Sequence, residues 1–208
     1  MTDAFPWYGY LYPKVALSAA SMALEAIPQA VWFFLPAFAA NPTAVLFGGG
    51  TPIDFGRTLR DGERILGDGK TWRGLVGGTA SGAVLGLVLS APFLLLSRDS
   101  AWSFGSTPAE AFGASAVLAL GALLGDMGGA FLKRRMHMAR GTKARGLDQY
   151  DFVAGALLLS VAIRDWSVPR FFSGDALLGL LAIIVITPAL HRAVNLVGYR
   201  MGKKHEPW

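Results

Sequence analysis

Residues 125–153 read GDMGGAFLKRRMHMARGTKARGLDQYDFV and join two apolar segments of the chain. The preceding stretch, 109–124, is almost wholly apolar, and basic residues begin only at Lys133. Apolar segments that end in lysine and arginine are typical of membrane helices reaching the cytoplasmic face. We therefore interpret 125–153 as the connection between a third and a fourth membrane helix.

The length of the next apolar run decides where the fourth helix begins. It extends from Phe152 only as far as Ile163, whereas a spanning α-helix needs about 20 residues. The helix is therefore predicted to start near Leu147. This start places Asp148 and Asp151 at or just inside the membrane boundary, where a carboxylate is costly unless a cation satisfies it.

Composition supports a single integral membrane bundle over residues 1–208. The chain is 53% hydrophobic and 16% charged, with a mean hydropathy of +0.43, whereas soluble domains carry about 25% charged residues. The absence of cysteine excludes disulfides, thiolate metal sites and cysteine nucleophiles. The net charge of +5 comes from basic residues at membrane edges, so we expect membrane lipids and no nucleic acid as partners. The oligomeric state stays open.

The apolar segments predict an all-α fold of about five transmembrane helices, at 15–40, 74–97, 109–132, 147–166 and 176–197. Lysine and arginine are concentrated in the loops 41–73 and 133–147 and in the C-terminal tail. By the positive-inside rule these regions are cytoplasmic and the N-terminus lies outside. The protein is thus predicted to be a multi-pass protein of the cell membrane. Glu25, toward the outer half of the first helix, is interpreted as a structural residue.

The first cytoplasmic loop is long and rich in glycine and charge. Its glycines allow backbone N–H groups to approach an anion closely. Lys70, Thr71 and Arg73, just before the second helix, are candidates for binding phosphate. The glycine spacing excludes a P-loop. Ordinary membrane anchoring of the two basic side chains is the alternative.

Three carboxylates, at Asp126, Asp148 and Asp151, are predicted to gather at the same membrane face. The last two are three residues apart and share one helix face. Carboxylates hold Mg²⁺, Mg²⁺ holds a triphosphate, and basic residues neutralise the remaining phosphate charge. Structural ion pairing with the surrounding cations is the alternative for the acids. The glycines near Asp126 suit either close helix packing or room for a ligand.

These motifs together resemble a known family. GDMGGAFLKRR…LDQYDF, with PIDFGRTL and LGDGKTWRG upstream, is similar to the archaeal CDP-archaeol synthases, small relatives of the CDP-diacylglycerol synthases. The resemblance implies a cytidylyltransferase that uses CTP and an unsaturated archaeal ether-lipid phosphate to form CDP-archaeol and pyrophosphate. It implies Mg²⁺ as cofactor, held by Asp126, Asp148 and Asp151. It also implies that Lys133 and Arg134 bind nucleotide phosphate and that Asp126, Lys133, Asp148 and Asp151 are catalytic.

Two other classes compete with this interpretation. A CDP-alcohol phosphatidyltransferase would consume the product, but its aspartate-rich helix motif starts at Asp61-Gly62 and then fails. A small ion-coupled transporter would need acids along a pathway open from both sides, whereas the acids here gather at the inner end.

The chain departs from the motif of the bacterial CDP-diacylglycerol synthases at one place. That motif has a serine ahead of Lys-Arg, where this chain has Ala130, Phe131 and Leu132.

Overall fold

A computed structural model describes residues 19–96, 101–139, 142–144 and 146–202, with side chains from Leu24 onward. The aromatic N-terminal segment and the end of the basic tail lie outside the described residues. The described residues form five long helices: α1 (Ala19–Phe47), α2 (Trp72–Leu96), α3 (Pro108–Arg135), α4 (Leu147–Ser160) and α5 (Ala176–Arg200). Within the described residues, five helical stretches are long and apolar enough to cross a membrane. The predicted all-α membrane bundle is therefore confirmed.

The fourth span begins at Leu147, as the sequence predicts. After α4 the chain continues through a 3₁₀ turn (Val161–Ile163), a short α-helical turn (Arg164–Ser167) and a π-helical turn (Val168–Phe172). The whole stretch Leu147–Phe172 is long enough to span. Recruiting the first turn of α4 into the span places Asp148 and Asp151 at one end of the bundle.

The first helix ends later than its sequence pattern predicts. The Asn41-Pro42 pair suggests a loop beginning at residue 41, but α1 continues to Phe47 with Pro42 inside it. The Thr43 hydroxyl donates to the carbonyl oxygen of Ala39 at 2.7 Å, and α2 packs against this part of α1. Tertiary packing thus outweighs the local breaking signal. The connection to α2 is consequently the shorter loop 48–71.

Small residues bring the helices close together. A Cβ atom built on Gly78 of α2 would lie 2.7 Å from the carbonyl oxygen of Ala40, so α2 packs on the backbone of α1. Gly121 and Gly125 of α3 pack in the same way on α4 around Gly155. Interfaces of this kind are common between membrane helices, because small residues let backbones approach. For these two α3 glycines, the packing interpretation is confirmed.

Aromatic side chains fill the end of the bundle where α2 finishes and α3 begins. The rings of Phe104 and Trp166 stack with centroids 6.2 Å apart, and Phe33 meets both edge-on. The Trp166 indole also donates to the Phe104 carbonyl at 2.6 Å. Arg170 lies over the rings of Phe33 and Trp166. We call this set the aromatic end.

Candidate active site

A cavity of about 620 Å³ opens at the other end, where α1 and α3 finish and α4 begins. Its polar wall carries Lys70, Thr71, Asp126, Asp148 and Asp151, five of the predicted site residues. Lys70 and Thr71 come from the loop 48–71, whereas the acids come from α3 and α4. The fold therefore brings together groups that are far apart in sequence.

Lysines neutralise two of the three acids. The Lys70 ammonium pairs with the Asp126 carboxylate, linking the loop to α3. Lys133 Nζ lies 2.6 Å from Asp148 Oδ1, which links α3 to α4. The other oxygen of Asp148 accepts from the Ala144 amide at 2.8 Å. All four charged side chains remain 20–33% exposed. Lys70, Asp126 and Asp148 line the cavity, whereas Lys133 is not among its lining residues.

Asp151 lies where α3 and α4 pack closely against each other. A Cβ atom on Gly129 would overlap the Asp151 carboxylate, so the glycine leaves room for this side chain. Among the ion pairs of the described residues, none involves Asp151. Its Oδ1 accepts from the Phe152 amide at 2.6 Å. The neighbouring Gly128, by contrast, has nothing within 4 Å of such a Cβ.

The loop 48–71 is organised around a buried carboxylate, Asp54, whose side chain is 0% exposed. Two nitrogens of the Arg64 guanidinium donate to it, the shorter contact being 2.7 Å. The amides of Leu66, Gly67 and Gly56 donate at 3.0, 2.9 and 3.1 Å. Arg64, followed by these amides, holds the pKa of Asp54 well below its ordinary value. The sequence pattern did not predict that Asp54 organises the loop, although Asp54 lies within the PIDFGRTL motif.

The same loop is attached to the end of α3. The Arg135 guanidinium pairs with Asp61 and donates to the carbonyl oxygens of Glu63 and Arg64, at 3.2 and 2.7 Å. His137 Nδ1 lies 3.5 Å from a Glu63 carboxylate oxygen. These contacts hold the loop against the cavity. They complement the Lys70 ion pair, which attaches the last residues of the loop.

Thr71 also has a structural role, and Arg73 and Arg134 lie outside the cavity wall. The hydroxyl of Thr71 accepts from the Gly74 amide at 3.1 Å and so caps the start of α2. Arg73 is exposed and is not among the residues that line the cavity. Arg134 also lies off the cavity wall, and its guanidinium donates to the Met138 carbonyl at 2.6 Å. Phosphate contacts by these three residues stay predictions.

The opposite wall of the cavity comes from α1 and α5 and is mostly apolar. Its polar side chains are Asn41, His191 and Asn195, which the sequence analysis did not identify. The Asn195 amide nitrogen lies 3.2 Å from both ring nitrogens of His191. The sequence does contain a pattern that could have identified His191 and Asn195. They are polar residues four positions apart in an apolar helix, and this spacing places them on one helix face.

The acids suit a divalent cation by their chemistry. Carboxylate oxygens are the ligands that Mg²⁺ prefers, and Asp126, Asp148 and Asp151 line one cavity. However, the described residues contain no group of three or more His, Cys, Asp or Glu side chains arranged to hold a metal ion. Two of the acids are paired with lysines instead. The donor set fits a cation whose remaining ligands come from a phosphate substrate and water.

The fold and this cavity define a multi-pass membrane protein with a charged cavity at one end of its helical bundle. A family model described as CarS-like, CDP-archaeol synthase, matches residues 23–208. The chain therefore belongs to the CDP-archaeol synthase family, whose members are enzymes of archaeal lipid biosynthesis.

Named relatives and a solved structure agree with this assignment. The CDP-archaeol synthase of Methanosphaerula palustris is 49% identical over 180 residues, covering 84% of this chain and 99% of the relative. The CDP-archaeol synthase of Pyrococcus horikoshii is 43% identical over 187 residues, covering 90% of this chain and 100% of the relative. A structure described as an intramembrane enzyme for archaeal membrane lipid biosynthesis superposes with a TM-score of 0.58. The two sequences are 39% identical, and the superposition covers 78% of this chain and 92% of the solved chain.

Proposed function

We propose that this protein transfers the cytidylyl group of CTP to an unsaturated archaeal ether-lipid phosphate, 2,3-bis-O-geranylgeranyl-glycerol 1-phosphate. The products are CDP-archaeol and pyrophosphate. One observation carries the proposal: the Lys70–Asp126 pair, two further carboxylates and an apolar wall line the same cavity. The charged groups suit a polyphosphate, and the apolar wall suits the hydrocarbon chains of a lipid.

The reaction makes one bond and breaks one. An oxygen of the lipid phosphomonoester attacks the α-phosphorus of CTP, and the bond from that phosphorus to the oxygen bridging to the β-phosphate breaks. The nucleophile is already anionic near neutral pH, so no general base is required. The difficulty is to bring two anions together, which makes positioning and charge neutralisation the catalytic tasks.

Lys70 and Lys133 are suited to neutralise the triphosphate. Each is paired with a carboxylate across a partly exposed contact. Such pairs contribute only about 1 kcal/mol or less. A phosphate oxygen can therefore replace the carboxylate as lysine's partner at little cost. Arg134 and Arg73, at the cavity edge, are proposed to contact the outer phosphates.

Release of the carboxylates from lysine makes them available to a cation. We propose that this cation is Mg²⁺, held by Asp148 and Asp151 with Asp126. When bound, Mg²⁺ neutralises phosphate charge and stabilises the departing pyrophosphate. Gly129 contributes by leaving space for the Asp151 carboxylate.

The proposed active site faces the cytoplasm, where CTP is made available to the enzyme. The loop 48–71 and the described residues between α3 and α4 lie at the same end of the bundle as the cavity. By the positive-inside rule, the basic residues of these loops support a cytoplasmic location for that end, with the N-terminus outside and the C-terminus cytoplasmic. Single cysteines at Arg57 and Lys143 should label from the same, cytoplasmic side of oriented vesicles.

The decisive test is incorporation of radiolabelled CTP into lipid by the purified protein with Mg²⁺. We expect label in the lipid fraction and equimolar pyrophosphate, both dependent on the lipid phosphate. A reaction lacking the lipid phosphate, and one with EDTA, are the controls. Consumption of a CDP-lipid without any incorporation from CTP would contradict the proposal.

A further inference from the structure

Lys70 lies at the end of a turn whose backbone is bonded to an earlier part of the loop 48–71. The Lys70 amide donates to the carbonyl oxygen of Gly67 at 3.2 Å, which closes the turn. The Ile53 amide donates to the Lys70 carbonyl oxygen at 2.8 Å. The position of the lysine side chain, which pairs with Asp126, therefore depends on how this turn meets the chain at Ile53.

Asp54, the residue after Ile53, binds the other end of the turn. Its Oδ2 atom accepts from the amides of Leu66 and Gly67 at 3.0 and 2.9 Å. The carboxylate is fully buried, and Asp54 is not among the residues that line the cavity. Asp54 therefore contacts the backbone of the turn, and it can influence a substrate in the cavity only through that turn.

One arginine completes the surroundings of this carboxylate. Arg64 Nη2 donates to Asp54 Oδ1 at 2.7 Å, and Arg64 Nε donates to Asp54 Oδ2 at 3.2 Å. The other terminal nitrogen of Arg64 donates at 2.7 Å to Asp68, an exposed residue inside the turn. Because the guanidinium holds the pKa of Asp54 well below its ordinary range, the carboxylate stays charged near neutral pH. Removal of that charge would leave buried donors without their acceptor.

The same turn contacts a second basic residue of the proposed nucleotide site. Gly67 has a φ of +95°, and a Cβ atom built there would lie 3.7 Å from Arg134 Nε. The turn therefore lies against the end of α3 that carries Lys133 and Arg134. Displacement of the turn would move Lys70 relative to these cations and relative to Asp126.

We propose that Asp54 is a positioning residue for CTP, which holds the turn 67–70 so that Lys70 faces the triphosphate. The inference rests on the proposed function, since it explains how one phosphate-binding side chain of that site is placed. It assigns a role in nucleotide affinity to a carboxylate outside the cavity, and this role is exerted through Lys70. A carboxylate that only stabilised the fold would instead affect both substrates alike.

The test compares Asp54→Asn with Asp68→Asn. Asparagine keeps the size of the Asp54 side chain but places an NH₂ group against the donors that the carboxylate accepts from. Asp54→Asn should raise KM for CTP about tenfold and leave KM for the lipid phosphate within about twofold. Asp68→Asn is the matched control, because Asp68 lies in the same turn and shares Arg64 but is 64% exposed. It should leave both Michaelis constants within about twofold of the wild type.

A double-mutant cycle with Lys70→Ala determines whether Asp54 acts through the lysine. Lys70→Ala alone should raise KM for CTP about tenfold. The variant carrying both changes should show a similar increase, because a lysine that is absent cannot be misplaced, whereas independent effects would multiply to about 100-fold. Calorimetric titration of CTP into the detergent-solubilised variants gives the same comparison without turnover.

A second variant of the same contact is available if Asp54→Asn does not fold. Arg64→Gln removes the guanidinium but leaves three backbone amides on the carboxylate, so it should raise KM for CTP by a smaller factor, about threefold. An unchanged KM for CTP in folded Asp54→Asn, an equal rise in both Michaelis constants, or a multiplied effect in the double variant would overturn the inference. Absence of CTP binding by the wild type would instead contradict the proposed function.

Discussion

At the aromatic end, Phe33, Phe104 and Trp166 meet ring to ring, and Arg170 is held over two of these rings. At the cavity end, lysines pair with partly exposed carboxylates. Aromatic pairs contribute about 0.5–1.5 kcal/mol each through fixed geometry. The partly exposed ion pairs contribute about 1 kcal/mol or less, so another charged group can replace one partner at little cost.

The comparison suggests that the bundle separates rigidity from chemistry. Packing at the aromatic end fixes how the helices meet, so the cavity end can keep the groups that we propose change partners during the reaction. Substitutions at the two ends should accordingly change different properties.

The largest effect is expected from the two acids of α4. Asp148→Asn and Asp151→Asn keep the size of the side chain but remove the charge proposed to hold Mg²⁺. Each should lower kcat/KM by at least about 1000-fold, which corresponds to roughly 4 kcal/mol of transition-state stabilisation. Asp165→Asn, at the far end of the same span and fully exposed, is the control and should retain activity. Near-normal turnover in either folded variant would remove that acid from the site.

Gly129→Ala should lower turnover about 100-fold, because the added methyl group overlaps the Asp151 carboxylate and displaces it. Gly128→Ala is the matched control, since its methyl group enters open space. The measurement is kcat for both variants beside their thermal midpoints in detergent. Equal activity of the two variants would show that the position of Asp151 does not matter.

Lys70→Ala should raise KM for CTP about tenfold, the effect expected for loss of one charge-assisted hydrogen bond. KM for the lipid phosphate should change less than twofold. The same variant should bind Mn²⁺ without nucleotide more tightly than the wild type, because Asp126 has lost its lysine. Arg57→Ala, an exposed change in the same loop, is the control. An unchanged KM for CTP would return Lys70 to a membrane-anchoring role.

The smallest effect on catalysis is expected from the aromatic end. Trp166→Leu removes a ring stack and the hydrogen bond to the Phe104 carbonyl. It should lower the free energy of unfolding by about 2 kcal/mol, seen as a lower thermal midpoint. Both Michaelis constants should remain within about twofold of the wild type below that midpoint. A selective loss of CTP affinity would show that the two ends are coupled.

Much of the fold follows from the amino-acid sequence alone. The number of spans and the start of α4 at Leu147 are determined by the thickness of the membrane, because a spanning helix needs a minimum length. The same constraint places Asp148 and Asp151 at one end of the bundle. The antiparallel course of α3 and α4 then brings Asp126 near them. A local pattern is sufficient for the spans and for the position of Asp148 and Asp151, whereas the approach of Asp126 also requires α3 and α4 to pack against each other.

Other features were decided only by tertiary structure. α1 passes through Asn41-Pro42 because α2 packs closely on it, and no local rule contains that contact. The partner of Lys70 lies 56 residues away in α3. His191 faces the cavity because α5 packs on α1 and α4. Sequence periodicity identifies the faces of a helix, but which face meets a cavity depends on how distant helices pack.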